Sequence, residues 1–292
     1  MKKYRSFFFI VALSFLVAFL LYYFTRHSDL EESITYFPED SELSYIYNKT
    51  TLTIEPQNQS KPFKILWQTG SKTNQKVYLR EDVSLLFKNG RLASILSKWR
   101  KNAQTIHQEK TLSFHDSGHF EAITIHHAEK HTNQNVYTGK DIMSYDQRYV
   151  MAPKNQPISF FKVPVTPEEL GWYHVLDSAV KQDQQEILEE ASKQFHIHLA
   201  SYYIFPLTYL HIYNQNTLPG LDKKTSHRAV SQLWEGLYKN YILGIKLKEN
   251  QTENPIGSSV PFILYDKNST HFLIITKTAS GKLALFKQKI KA

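Results

Sequence analysis

Thirteen histidines are spread over this 292-residue chain, and the densest run of side chains able to do chemistry lies between His115 and His131. Thr111-Leu112-Ser113-Phe114-His115, then Asp116-Ser117-Gly118, then His119-Phe120-Glu121-Ala122-Ile123-Thr124-Ile125 reads as a hairpin. Gly118 takes the left-handed position of its three-residue loop. In that register His115 and His119 face one another with Cβ atoms about 5 Å apart. Glu121 follows on the same face as His119, and His127 returns to it, because strand side chains alternate. Two imidazoles and a carboxylate can hold Zn²⁺ or another borderline divalent metal and leave a position open for water. That is the equipment of a metal-dependent hydrolase. A solvated hairpin tip accounts for the same residues without any chemistry.

A second constellation is aromatic. Trp99 lies among Lys98, Arg100 and Lys101. An exposed indole amid cations can bind an anionic wall polymer, a partner protein or lipid headgroups. An indole packed on a neighbouring strand, with solvated lysines around it, is the plainer reading. Other patterns lose their chemistry on inspection. Asp116-Ser117-Gly118 matches the aspartic-protease triplet, but that reaction needs two carboxylates sharing a proton, and one copy is present. His196-Ile197-His198 puts two imidazoles on one face of an expected strand with no third ligand. Glu168-Glu169 and Glu189-Glu190 fall on expected helices, where they serve an N-terminus and a solvated face. The nucleophile elbow, the phosphate loop and the dinucleotide fingerprint do not occur. The absence of Cys excludes thiol catalysis, disulfides, iron–sulfur clusters, Cys-ligated zinc and a lipobox-type anchor.

These residues hang on a chain whose most distinctive element is its start. Phe7 to Phe24 is apolar apart from Ser14. As a helix it spans roughly 27 Å, enough for a bilayer core. Lys2, Lys3 and Arg5 precede it, and Asp29, Glu31 and Glu32 come after Arg26. The positive-inside rule therefore predicts a cytoplasmic amino terminus and an outer domain beyond a single membrane pass. Ala12-Leu13-Ser14 has the small-x-small form of a cleavage site but sits mid-run, so the segment reads as an uncleaved anchor. The formal charge of +8 shrinks to about half once these flanking cations are set aside, and the remainder is scattered. A nucleic-acid footprint is larger and clustered, so nucleic acid is not an expected partner.

Residues 1–27 thus form the cytoplasmic start and anchor, residues 28–62 a polar stalk, and residues 63–292 an α+β domain. Its β signals run over 63–149. They include a hairpin with strands 83–88 and 91–96 around Asn89-Gly90, which supplies the two positive φ angles of a type I′ turn. The helical part covers 166–243. Thr166-Pro167-Glu168-Glu169 is a cap, a proline at the first helical position and a capping box. Asp183 is expected to open a second helix, and the longest helix to follow Thr225, with Val230, Leu233, Trp234, Leu237, Tyr238, Tyr241 and Ile242 at three- and four-residue steps. Strands return over 244–290 as a meander, so antiparallel β flanks a central helical segment.

The expectation for function follows from the anchor and from the lack of a complete catalytic set. The chain reads as a single-pass protein of a bacterial cell envelope, with a non-catalytic outer domain that binds or regulates an envelope partner or a ligand and needs no cofactor. The alternatives are a tethered metal-dependent hydrolase on His115, His119 and Glu121, and a binder of anionic cell-wall polymer on Trp99, Lys98, Arg100 and Lys101.

Overall fold

The computed structural model describes residues 35–55, 62–132, 136–153, 157–247 and 251–290. The expected anchor, residues 7–24, and residues 28–34 and 56–61 of the expected stalk lie outside them. Among the described residues no helix is long and apolar enough to cross a membrane. The described chain is α+β, with a large antiparallel sheet curled into a near-barrel, a long helix and a second, smaller antiparallel sheet.

The large sheet is built on one long hairpin. Strands β2 (Phe63–Lys88) and β3 (Arg91–Phe114) pair along almost their whole length. They turn at Asn89 (φ 48°) and Gly90 (φ 72°), as the Asn-Gly cue predicts. Strand β1 (Tyr45–Glu55) pairs with the first half of β2, and β4 (Gly118–His131) with the second half. Strands β5 (Tyr137–Met151) and β6 (Ser159–Phe161) continue beyond β4. Phe114, at the end of β3, pairs with Phe63 at the start of β2, whereas Phe120 pairs with Lys88 at its end. A straight β2 would separate those points by roughly 80 Å. The connection from Phe114 to Gly118 reaches at most about 15 Å. The hairpin must therefore fold back on itself, and the rings of Phe114 and Phe120 stand 4.8 Å apart. It bends where the β2–β3 register breaks between Lys72 and Val77, opposite Asn102 at φ 49°.

This topology corrects the expected hairpin at 111–125. Strands β3 and β4 do not pair; they lie on opposite edges of β2, and residues 115–117 cross from one edge to the other. The stalk also changes character, because its residues 45–55 are β1, and Leu52 and Ile54 are buried against Phe63, Ile65 and Trp67.

Inside the near-barrel, one end is apolar, with Leu52, Phe63, Ile65, Trp67, Leu86 and Phe120. The other end is hydroxyl-rich, with Thr50, Thr69, Ser71, Ser84 and Thr124. The outer face of β2 and β4 carries Val83, Leu85, Phe87, Ile123 and Ile125 into the main core. Both faces of these strands are buried, so their apolar residues are interrupted only by polar side chains that find partners inside, such as Ser84 and Thr124.

Helix α1 (Pro167–Phe195) starts on the predicted capping box, with Glu169 N–H donating to Thr166 Oγ1 at 3.2 Å. It is one helix of 29 residues where two were expected. No Gly or Pro interrupts it after Gly171, and Asp183 pairs with Arg91 of β3 (2.7 Å) instead of capping. His196 ends it in the left-handed region, so His196-Ile197-His198 is a helix exit and not a strand. Strand β7 (Tyr202–Pro206) then interrupts the expected helical segment. Helix α2 (Lys223–Leu237) carries the predicted apolar stripe on Val230, Leu233, Trp234 and Leu237, but at 15 residues it is the shorter helix. A π-helical turn, Tyr238–Ile242, extends the stripe. The short ribbon of β8 (Ile245–Lys246) and β9 (Thr252–Glu253) follows. The predicted meander is β10 (Phe262–Asp266), β11 (His271–Lys277) and β12 (Leu283–Lys289), with β7 added beside β10. The two β regions form separate sheets, stitched where Leu92 N–H donates to Ser258 O (2.9 Å) and Gly257 N–H to Leu92 O (2.7 Å).

Candidate functional site

The three candidate metal ligands are not drawn together. Among the described residues no three His, Cys, Asp or Glu side chains are placed to hold a metal ion. His115 is exposed in the crossing connection, not opposite His119, because β2 lies between their strands. His119 is buried, stacked on Tyr149 with ring centroids 4.0 Å apart, and donates from Nε2 to Gln147 Oε1 at 3.1 Å. Its Nδ1 lies 3.9 Å from Glu121 Oε2, and Glu121 accepts the Tyr145 hydroxyl at 2.9 Å. Burial first, and then the Glu121 carboxylate, push the Tyr145 phenol well above its ordinary range. His127 shares the face of His119, as the alternation predicts, but eight strand residues separate them by roughly 27 Å.

Trp99 is half-buried against the main core. Strand alternation sends Lys98 and Arg100 from the opposite face, where they donate to the carbonyls of His107 and Thr105 at 3.1 Å each. Lys101 is exposed. The indole and these two cations therefore do not form one surface.

The hydroxyl-rich end of the barrel holds a Ser–His–Asp chain that sequence patterns did not reveal. Ser144 Oγ lies 2.7 Å from His126 Nε2. His126 Nδ1 lies 3.1 Å from Asp82 Oδ2, without the alignment a hydrogen bond requires. Asp82 also accepts from Ser71 Oγ at 2.9 Å. His126 and Asp82 have no exposed surface, and Ser144 shares its hydroxyl with Thr50 at 2.6 Å. Ser144 itself is half-buried, beside β1 and β4, with His126 and Asp82 fully buried behind it. This chain ties β2, β4 and β5 together across the barrel interior.

A more open arrangement forms where three elements meet. Residues 36–40 run beside the start of β5: Gly139 N–H donates to Pro38 O, and Asp40 N–H to Gly139 O, both at 2.9 Å. Tyr36 N–H donates to Glu235 Oε2 on α2 at 3.1 Å. Asn214 holds the other end of the floor through both backbone groups of Met143 (3.0 and 2.7 Å). Between these walls lie two adjoining cavities of about 460 and 470 Å³ that share Glu39, Asp141, Lys224 and His227. Helix α2 supplies one side through Lys224, His227, Arg228, Ser231 and Gln232, a stripe at steps of three and four.

The acids of this groove are already engaged. Glu39 pairs with Lys140. Asp141 accepts from His127 Nδ1 at 2.5 Å, and His127 Nε2 donates to Glu129 Oε1 at 2.7 Å. Burial alone would lower the His127 pKa, but Asp141 and then Glu129 outweigh it, and the imidazolium is held up to about 10. In return His127, against the opposing effect of burial, keeps the Asp141 carboxyl below the usual aspartate range. The cations are less engaged: among the described residues Lys223, Lys224 and Arg228 make no ion pair. Arg228 Nε is buried without a hydrogen-bond partner, and so is Oε1 of Gln232, a residue only 7 % exposed. Both line the same cavity. The sequence signal for this site was the polar stripe beside the apolar stripe of α2. It passes for a solvated face until Ser231 and Gln232 are seen to be buried.

Compared with protein-family models, with curated proteins and with solved structures, the chain shows no match.

Proposed function

We propose that this is a single-pass membrane protein of the bacterial envelope, anchored by residues 7–24, whose outer α+β domain acts by binding a ligand or partner and not by catalysis. The basic residues before the apolar run and the acids after it support that orientation. The observation that carries the binding reading is the groove over α2, where a donor and an acceptor are buried without partners beside unpaired cations. An unpaired buried polar group is costly, and a bound molecule that pairs both recovers that cost.

The test has two arms. Alkaline phosphatase fused to the carboxyl end is expected to be active, and fused to the amino end inactive; the reverse pattern overturns the topology. The purified full chain in non-ionic detergent is then titrated with fractionated envelope extract while its melting temperature is followed. A saturable rise, with the stabilising component recovered unchanged, supports binding by mass action. Turnover of that component replaces binding with catalysis.

A further inference from the structure

The groove indicates the chemistry of its occupant. Resting on the binding reading above, we infer that it takes an anionic polyol-phosphate chain, with phosphate groups on Arg228, Lys224 and Lys223 and a ligand hydroxyl donating to Gln232. Three observations lead there. First, among the described residues the acids that line the groove are already paired, Glu39 with Lys140 and Asp141 with His127, so a cation meets no free carboxylate of theirs while an anion meets cations that make no ion pair. Second, the unpaired atoms are of opposite kinds: Arg228 Nε–H needs an acceptor, and Gln232 Oε1 needs a donor. An anion without hydroxyls satisfies the first and leaves the second, so the ligand carries a donor close to its charge. Third, Lys223 lines one cavity, Arg228 and Gln232 the other, and Lys224 both. Cations spread over two adjoining cavities suit charges that repeat along a chain. The first turn of α2 adds the positive end of its dipole.

The experiment is calorimetric titration of the full chain in non-ionic detergent with glycerol 3-phosphate, with a poly(glycerol phosphate) chain and with inorganic polyphosphate, which has the charge but no hydroxyls. The poly(glycerol phosphate) chain is expected to bind in a salt-dependent way and more tightly than polyphosphate. Arg228→Gln and Gln232→Leu are each expected to weaken it about tenfold. Lys223→Gln, at an exposed position that does not support the fold, is expected to weaken the chain but not the monomer. Affinity that grows with chain length upholds the repeating occupant, whereas equal affinity for the monomer overturns it in favour of a single polyol phosphate. Polyphosphate binding as tightly as the hydroxylated chain overturns the inference, as does binding indifferent to all three substitutions. No binding of any of the three, while an envelope fraction still raises the melting temperature, overturns the inference and leaves the binding reading intact. If nothing in the envelope stabilises the protein, the reading itself fails.

Discussion

At the scale of single residues, the buried histidines show how partners decide role. His127 lies between two carboxylates and keeps its proton up to about pH 10. Its pKa is raised on folding from an ordinary 6.5, so the stability it contributes is complete below about 6.5 and is lost as the pH rises through about 10. A melting temperature that falls over this window is expected, with His127→Gln flattening the fall. The same substitution removes the imidazolium between Asp141 and the buried Glu129, which keeps His131 at 3.0 Å, and is expected to cost about 3 kcal/mol near neutral pH, measured by urea unfolding. A variant as stable as the parent would show the two acids are not held by His127. His126 differs by one position and faces the barrel interior. Asp82→Ala removes the carboxylate that accepts from Ser71 Oγ and faces His126 Nδ1, keeps the backbone carbonyl that Gln108 binds, and is expected to cost about 1–3 kcal/mol in urea unfolding. Of all these roles the sequence displayed only the residue types. Asp82, His126 and Ser144 come from three strands, and no spacing along the chain connects them.

At the scale of elements, local signals succeeded where the physics is local. The Asn89-Gly90 turn and the Thr166 capping box are each complete within a few residues, and both form as predicted. Thr166→Ala is expected to cost about 1 kcal/mol of helix stability, seen as faster amide exchange over the first turn of α1. Unchanged exchange would mean that packing alone holds that end. Gly244 follows the π-helical turn at φ 133°, and a Cβ there would lie 2.4 Å from Thr252 Cγ2. Gly244→Ala combines a clash with a backbone angle that L-residues avoid, and is expected to destabilise by more than about 1 kcal/mol in thermal unfolding. The hairpin expected at His115 failed because a turn signal marks a change of direction and not the neighbour. The residues Asp116-Ser117-Gly118 do turn the chain, but they deliver it to the far edge of β2.

At the scale of the whole molecule, the described α+β domain is organised by one shared core. Val83, Leu85, Ile123 and Ile125 of the curled sheet, Trp234 and Leu237 of α2, and Ile263, Tyr265, Phe272 and Ile274 of the second sheet bury one another. The two sheets are separate by hydrogen bonding and joined by packing. They are therefore expected to unfold together, with equal calorimetric and van't Hoff enthalpies for the α+β domain. Two resolved transitions would show that the stitch at Leu92 and the common core are too weak to couple them.

The amino-acid sequence alone determined the features that depend on neighbours along the chain: the apolar run and its flanking charges, the α+β class, the Asn-Gly turn, the capping box and the apolar stripe of α2. Tertiary structure decided everything that depends on which strands meet. A single fact, that a connection of three residues must join opposite ends of a long strand, bends the β2–β3 hairpin and parts His115 from His119. The groove over α2 arises in the same way. Its walls come from residues 36–39, 139–142 and 223–232, distant in sequence and brought together by backbone bonds to Gly139 and by the Tyr36–Glu235 contact. Periodicity identifies which face of a helix is polar; whether that face meets solvent or a second wall is set by packing.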